Sequence, residues 1–283
     1  MNPKKTGKKL TLKTVAIYFG YGLAILIIAN IIESLFTNKK FRFDIAREYL
    51  FDPAVMTGVL WTLILTVVAM IIGVFLALLL SVSTFSDNSF LRNFAKFYIF
   101  FFRGTPIYTQ LVFWGLFPVL YPRLTLGIPL TSVEFFSIST ADILTVVASA
   151  IIGLGLNEAA YLSEIFRAGL ESVDRGQKEA GLGVGLSNMQ VMWGIVLPQA
   201  MRVIIPPTGN ETISMLKTTS LVMAVPFTAD LTYTTNSIAN SLFLPIPLLI
   251  VACFWYLLIT SILMVLQWRL EKHFGRGIVS VMT

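Results

Sequence analysis

Six long apolar runs, separated by short polar segments, set the pattern along the chain. They cover roughly residues 15–32, 57–81, 98–121, 143–166, 202–226 and 247–267. A helix of about 20 apolar residues spans the hydrocarbon core of a bilayer, so each run predicts a transmembrane helix. The charged fraction is only 13%, against about 25% in soluble domains. The pattern therefore predicts an all-α polytopic membrane protein with six transmembrane helices.

Basic residues predict the orientation of these helices. Most of the 21 lysines and arginines fall in alternate polar segments, and such residues accumulate on the cytoplasmic side of a membrane. Both termini and segment 171–198 are therefore predicted to be cytoplasmic, whereas the basic segment 37–54 is an exception on the outer side. The first run lacks the short core and cleavage site of a signal peptide. Topology also accounts for the net charge of +6, so no nucleic-acid partner is expected.

Residues 171–198 form the most polar internal segment. Charges and irregular backbone find no partners in hydrocarbon, so this segment is predicted to be a water-facing loop with short helices of its own. Gly185 tolerates the backbone angles of a sharp turn, and Ser187 and Asn188 are typical N-caps for a second short helix. Two short helices at an angle form a compact surface for a groove in a partner protein. A plain solvated connector fits the same pattern equally well.

Few side chains offer catalytic or metal chemistry. Cys253 and His273 are the single cysteine and the single histidine, so neither an intramolecular disulfide nor a Cys/His metal cluster is expected. The chain also lacks the Gly-x-x-x-x-Gly-Lys-Ser/Thr phosphate loop, and it is not expected to hydrolyse ATP by that route. A Ser214–Lys217 pair is the remaining candidate for an intramembrane enzyme.

The spacing within segment 171–198 resembles the coupling loop of ABC importer permeases. That family's pattern is Glu-Ala-Ala, three residues, Gly, nine residues, Ile-x-Leu-Pro. In this chain the pattern is formed by Glu179, Ala180, Gly181, Gly185, Ile195, Leu197 and Pro198. Gly181 replaces the usual second alanine, and it is expected to loosen the helix by up to about 1 kcal/mol.

Three further motifs are similar to those of polar amino acid permeases. They are Phe-Arg-Gly-Thr-Pro at 102–106, the stretch 159–169 before the coupling loop, and Leu-Pro-Gln-Ala at 197–200, which is followed by Pro206-Pro207 and Lys-Thr-Thr-Ser-Leu at 217–221. The resemblance covers about residues 55–272. It implies a type I ABC importer permease core of five helices, to which the first helix is an addition.

The resemblance predicts how the chain is organised. Residues 1–54 hold a basic cytoplasmic tail, the first helix and an outer loop. Residues 55–272 form the permease domain, which contains the coupling loop 171–198, and residues 273–283 form a cytoplasmic tail. The expected location is the plasma (inner) membrane of a prokaryote.

The resemblance also implies a function. The chain is expected to be the membrane subunit of an ATP-driven importer for polar amino acids and not an enzyme. A dimer of cytoplasmic ATPase subunits, which bind ATP and Mg²⁺, is expected to dock on the coupling loops. The other expected partners are a second permease subunit, identical or homologous, and an extracytoplasmic amino-acid-binding protein, besides membrane lipid. No cofactor or metal is expected in this chain itself.

Polar residues inside the predicted fourth and fifth helices are the candidates for substrate binding, because ionisable groups are costly in a bilayer. An amino acid presents an ammonium group, which Glu158 can meet, and a carboxylate, which Lys217 can meet. Asn157 and Tyr161 lie on one face of the fourth helix, and Asn210 shares a face of the fifth with Lys217. Glu164 can instead pair with Arg167, and Glu211 can neutralise Lys217.

Two alternatives stay open from the sequence. Buried carboxylates also suit a proton- or ion-coupled carrier or a channel, although neither needs a coupling loop with this spacing. Pro206, Pro207 and Gly209 predict either a packing kink in the fifth helix or a break. A break would leave a half-helix near Thr208 with free amide groups, as at transporter binding sites.

Overall fold

The structure, a computed structural model, describes residues 12–129 and 133–274. The N-terminal lysines before Leu12 and the chain after Phe274, on which the predicted orientation relies, lie outside these residues. The helices are α1 (Leu12–Thr37), α2 (Phe43–Tyr49), α3 (Pro53–Thr84), α4 (Ser89–Gly104), α5 (Ile107–Leu120), α6 (Thr140–Ile143), α7 (Val146–Glu171), α8 (Arg175–Gly183), α9 (Asn188–Val191), α10 (Leu197–Thr218), α11 (Leu231–Leu242) and α12 (Pro245–Phe274). Two strands, β1 (Arg123–Gly127) and β2 (Glu134–Ser139), form an antiparallel hairpin.

The predicted all-helical membrane fold is confirmed, whereas the count of six transmembrane helices stays a prediction. Among the described residues, four helices are long and apolar enough to cross a membrane: Ala16–Thr37, Pro53–Thr84, Val146–Glu171 and Pro245–Phe274. They correspond to the predicted first, second, fourth and sixth helices. The predicted third helix contributes the shorter apolar helix α5. The predicted fifth helix, α10, carries Asn210, Glu211 and Lys217 and is more polar.

The predicted third helix is broken at the Phe-Arg-Gly-Thr-Pro motif into two helices. Helix α4 ends at Gly104, Thr105 is extended, and Pro106 is the N-cap of α5. Proline has no backbone N–H and clashes with the preceding turn of a helix, so α4 cannot continue through Pro106. The last carbonyls of α4 therefore need side-chain partners.

Helix α10 passes through Pro206 and Pro207 without ending. The broken alternative, a half-helix with free amides near Thr208, is therefore not what the structure shows. The hydroxyl of Thr208 donates to the carbonyl of Ile204 at 2.8 Å, one turn earlier in the same helix. The prolines lie within a continuous helix that continues as a 3₁₀ turn, Thr219–Ala224.

Helix α7 lies at the centre of the fold and packs against α3, α4, α5 and α10. The largest core cluster joins side chains from these helices, among them Leu65, Leu111, Leu154, Leu162 and Met215. By contrast, the membrane-spanning part of α1 buries none of its residues. The first helix is thus separate from the packed body, as expected for an addition to a five-helix core.

Three elements fill the segments that the apolar pattern left as outer loops. The short helix α2 lies in the outer segment 37–54 and packs on α12. The hairpin β1–β2 occupies the predicted loop 122–140 and pairs Arg123 with Ser139. Helix α11 occupies the predicted loop 227–245 and packs on α3 and α12. Asp230 caps it by accepting hydrogen bonds from the backbone N–H groups of Thr232 and Tyr233.

Candidate functional site

The coupling segment, residues 171–198, begins with a short and well-defined helix. The carboxylate of Asp174 accepts from the N–H of Gly176 at 2.7 Å and caps the start of α8. At the other end, the N–H of Leu186 donates to the carbonyl of Gly181, and that of Gly185 donates to Leu182. This pair of bonds is the Schellman motif, which requires a left-handed residue. Gly185 supplies it with φ of 88°, so the predicted change of direction is confirmed.

Gly181 lies where α8 packs against the following helical segment. A Cβ at this position would lie 2.9 Å from Ile195 Cδ1 and 2.9 Å from Val191 Cγ2. Both distances are shorter than carbon atoms accept without movement. The departure from the usual alanine therefore allows two branched side chains to pack closely against α8. The expected loosening of the helix is set against this closer packing.

The second half of the coupling segment runs directly into a membrane helix. Ser187 forms a capping box with Gln190, in which each side chain accepts from the other residue's backbone N–H. Helix α9 follows, then a π-helical turn, Met192–Val196, and then α10, with Pro198 in its first turn. No loop separates these three elements. Helices α9 and α10 are therefore connected by continuous helical backbone.

The predicted coupling residues divide into an exposed and a packed group. Glu179, Ala180, Gly185 and Pro198 are exposed, Ile195 and Leu197 are partly buried, and Gly181 is buried. Apolar side chains that the motif does not include are also exposed here: Leu182, Val184, Met189 and Trp193. Sequence reasoning had not assigned these four a role. An exposed apolar cluster on a short helical hairpin is a common protein-docking surface.

Asn157 is used inside the fold, where it spans the break between α4 and α5. Its Nδ2 donates to the carbonyl of Phe102 at 3.0 Å and to Oε1 of Gln110 at 3.1 Å. Gln110 Nε2 in turn donates to the carbonyls of Phe102 and Thr105. The two amides satisfy carbonyls that the end of α4 leaves open. Gln110 was missed from the sequence, since nothing in its local spacing links it to Asn157.

Glu158 is buried without a cation beside it. The residue is 4% exposed, and its Oε1 has no hydrogen-bond partner in the described part of the chain. Its side chain lies over Gly73 of α3, where an added Cβ would come within 2.8 Å of Glu158 Cγ. The charged group that acts on it electrostatically is Glu211 of α10, which is also an acid. The described residues therefore supply Glu158 with a second acid and with no cation.

Tyr161 and Glu164 belong to a charged network toward the coupling end of α7. The Arg103 guanidinium lies over the Tyr161 ring at 5.3 Å from its centroid, and it approaches Glu164 at 3.8 Å. Arg167 pairs with Glu164 at 2.8 Å and with Glu171 at 2.7 Å. The alternative reading of Glu164, as a partner of Arg167, is thus what the structure shows.

On α10 the other two predicted residues lie on an exposed face. Asn210 Oδ1 accepts from Gln267 Nε2 of α12 at 2.7 Å. Lys217 is exposed, and it forms no ion pair within residues 12–129 and 133–274. Asn157 and Glu158 are buried, whereas Tyr161, Asn210 and Lys217 are open to the surroundings of the single chain. The five predicted substrate residues thus do not form one closed pocket within this chain.

Comparison with known proteins identifies the family and several relatives of this chain. Residues 69–276 match the family described as binding-protein-dependent transport system inner membrane component. An arginine transport system permease protein, ArgU of Corynebacterium glutamicum, is 47% identical over 262 residues, covering 92% of this chain and 81% of the relative. An L-cystine transport system permease protein, TcyB of Bacillus subtilis, is 33% identical and covers 87% and 97%.

Solved structures agree with the sequence comparison. A crystal structure of an amino acid ABC transporter with histidines matches with a TM-score of 0.64 and 30% identity, over 79% of this chain and 95% of that one. An inward-facing MetNI methionine ABC transporter matches with a TM-score of 0.62 at 16% identity, over 79% and 97%, which shows a shared fold alone. The chain belongs to the family of binding-protein-dependent transport system inner membrane components, as an amino acid ABC transporter permease in which ATP hydrolysis is left to a separate subunit.

Proposed function

We propose that this chain forms the translocation path for a polar amino acid with a cationic side chain, and that an ATPase dimer drives it through the coupling segment. The observation that carries the proposal is the pair of short, capped helices α8 and α9. Their apolar side chains are exposed, and α9 is continuous with α10. Within this proposal the ATPase subunits bind ATP and Mg²⁺. A second permease subunit and an extracytoplasmic binding protein complete the importer.

The coupling segment is suited to docking because its backbone is fixed and its surface is apolar. The Asp174 cap, the Schellman motif at Gly185 and the capping box at Ser187 each satisfy terminal backbone groups of the short helices. Little conformational entropy is then lost when a partner binds. Val184 and Trp193 are 79% and 64% exposed, and they offer apolar area to a groove. Glu179 lies on the same exposed segment and is proposed to direct the partner by charge.

The substrate side chain is proposed to be cationic because Glu158 is a buried acid to which the described residues bring no cation. Glu211 acts unfavourably on the charge of Glu158, whereas Arg103 acts favourably on that of Glu211. A guanidinium or ammonium group between the two acids would remove the repulsion and satisfy Glu158 Oε1. The arginine permease among the relatives supports the same class.

The remaining predicted residues are proposed to act at other points of the path. Tyr161 and Lys217 face outward from the single chain, where a second subunit would enclose them, and Lys217 suits the substrate carboxylate. Asn210 is already bound to Gln267. Asn157 is proposed to hold the break beside the path, because its amide group is occupied by Phe102 and Gln110. Sidedness follows the basic residues, with both termini in the cytoplasm.

Co-purification of the full-length chain with its ATPase tests the docking proposal. Glu179→Arg is expected to abolish the complex and ATP-driven uptake, because it reverses the charge on the docking surface. Glu48→Arg is the matched control, since Glu48 is an exposed acid on α2, away from α8. Gly185→Trp should act like Glu179→Arg, since a left-handed φ strains any other residue. Full complex and full uptake in the Glu179 variant would overturn the proposal.

A further inference from the structure

Helix α4 differs from the other long helices because its side chains divide into three lengthwise faces. Ala95 and Ile99 form a buried face that packs toward α3 and α7. At 3.6 residues per turn, Phe90, Phe94, Phe97 and Phe101 fall within about 60° of one another. Arg92, Lys96 and Arg103 form a third stripe within about 40°. The aromatic and basic stripes therefore run along opposite sides of one helix.

The aromatic stripe is open to the surroundings along the whole length of α4. All four of its phenylalanines are exposed, and they stack in two pairs, Phe90 with Phe94 and Phe97 with Phe101. Phe100, between the two stripes, is 75% exposed. An amphipathic helix with aromatic residues on one face and basic residues on the other suits the boundary between headgroups and acyl chains.

A cavity of about 450 Å³ lies beside the basic stripe. Its wall includes Thr84 at the end of α3, Lys96 and Phe100 of α4, and Glu164, Arg167 and Glu171 of α7. The apolar span of α3 ends at Thr84, and α7 ends at Glu171, just before α8. The cavity thus opens at the edge of the bilayer, on the side where the coupling segment lies.

The charges around the cavity leave one cation free. Arg167 pairs with both Glu164 and Glu171 through contacts of 2.8 and 2.7 Å. Arg103 adds a further positive charge 3.8 Å from Glu164. Arg92 donates to the carbonyl of Ser86 at 2.8 Å. The Lys96 ammonium forms no ion pair or hydrogen bond within the described residues, whereas Arg167, the other cation of the wall, is held by two acids. Lys96 is therefore the cation of this wall that can meet an anionic ligand without breaking an ion pair.

We propose that this cavity is a binding site for an anionic phospholipid of the leaflet on the coupling-segment side. The headgroup phosphate lies against the Lys96 ammonium, and the acyl chains follow Phe100 and the aromatic stripe. The charge complementarity of Lys96 and the continuity of the cavity with an exposed apolar stripe both favour lipid. The site needs only an integral membrane chain, so it stands apart from the proposed substrate and ATPase docking.

Native mass spectrometry of the full-length chain, purified in detergent and titrated with phosphatidylglycerol or phosphatidylcholine, tests the site. The unchanged chain should bind phosphatidylglycerol in preference to phosphatidylcholine. Lys96→Gln should reduce this preference by about five-fold, the usual effect of one basic side chain at an anionic surface. Lys96→Arg should retain it. Lys40→Gln, an exposed lysine outside α4, is the control and should leave the preference unchanged.

Two outcomes would overturn the proposal. One is an unchanged phosphatidylglycerol preference in Lys96→Gln. The other would be seen with Phe97→Ser. This variant is expected to weaken the binding of both lipids, because it removes acyl-chain contact from the aromatic stripe. If Phe97→Ser instead converts dimers to monomers in the same spectra without changing lipid binding, a second copy of the chain covers the stripe. Neither outcome depends on uptake or on the ATPase, so failure here is separate from failure of the proposed function.

Discussion

Two glutamates on α7, Glu158 and Glu164, have opposite surroundings although they lie within two turns of one helix. Glu164 is partly exposed and is held by Arg167 and, more distantly, by Arg103. Glu158 is buried, has an oxygen without a partner, and is acted on electrostatically by a second acid of α10. Breaking a buried ion pair or leaving a buried charge alone costs several kcal/mol.

The two glutamates differ in whether this chain itself supplies a cation that compensates their charge. The cation for Glu164 is supplied by the same helix, so its charge is compensated as soon as α7 forms. The described chain supplies no cation for Glu158, so this carboxyl is either protonated or compensated by a cation from outside the chain. Under the proposed function, the side chain of a cationic substrate supplies that compensation. The following predictions test this contrast, in decreasing order of expected effect.

Glu158→Gln should produce the largest change. In proteoliposomes that contain the complete importer, arginine uptake should fall about ten-fold or more, because a hydrogen bond to a charged partner contributes about 1.5–3 kcal/mol. The thermal unfolding midpoint should not fall, since the substitution removes repulsion with Glu211. Citrulline, a neutral analogue of arginine, should be transported with little change. An arginine-to-citrulline preference equal to that of the unchanged chain would remove Glu158 from the site.

Gly73→Ala should have the next largest effect, because it displaces Glu158 without changing any charge. The new Cβ would lie 2.8 Å from Glu158 Cγ, and such overpacking costs about 1–3 kcal/mol of stability. Arginine uptake should fall as well. Gly22→Ala is the matched control, because a Cβ there meets nothing within 4 Å. Equal melting temperatures for the two alanine variants would show that Gly73 does not position Glu158.

Gln110→Leu tests the amide side chain that hydrogen-bonds to the backbone carbonyls at the break between α4 and α5. Loss of the amide leaves the carbonyls of Phe102 and Thr105 short of donors, with an expected cost of about 1 kcal/mol. Hydrogen exchange should increase locally around residues 102–109. Gln199→Leu serves as the control, since Gln199 is exposed and donates only within its own helix. Equal hydrogen exchange around residues 102–109 in the two variants would show that Gln110 does not stabilise the break.

Glu164→Gln should have the smallest effect on transport. Arg167 retains Glu171, and partly exposed ion pairs contribute at most about 1 kcal/mol. Thermal unfolding should shift slightly, and the preference for arginine over citrulline should match that of the unchanged chain. A collapse of that preference would show that Glu164, too, contacts the substrate. The contrast between the two glutamates would then be lost.

The sequence predicted those parts of the fold that depend on local signals. Long apolar runs predicted α1, α3, α7 and α12. Gly185 and Ser187 predicted the turn and the second cap of the coupling segment. In each case the physical cause lies within a few residues, because glycine, proline and capping side chains act on their own backbone.

The parts that sequence reasoning missed depend on partners far along the chain. Gln110 meets Asn157, and Gly73 accommodates Glu158, although neither pairing has a local signal. Helix α11 was taken for an outer loop because its residues are mixed in polarity, and its packing on α3 and α12 compensates for that. The hairpin β1–β2 was missed because two strands of five and six residues carry little periodicity. The substrate residues themselves remain a prediction.

The prolines of α10 have a mechanical consequence. Pro206 and Pro207 have no N–H, so the carbonyls one turn earlier, at Arg202 and Val203, lack their usual helical partners. Between the end that continues from α9 and the end that carries Glu211, the helix therefore lacks two of its backbone hydrogen bonds. We expect α10 to bend at Pro206 and Pro207 when α8 and α9 move, so that its two ends need not rotate by the same angle. A movement of the proposed ATPase would then reach the proposed substrate residues through a bend within one helix.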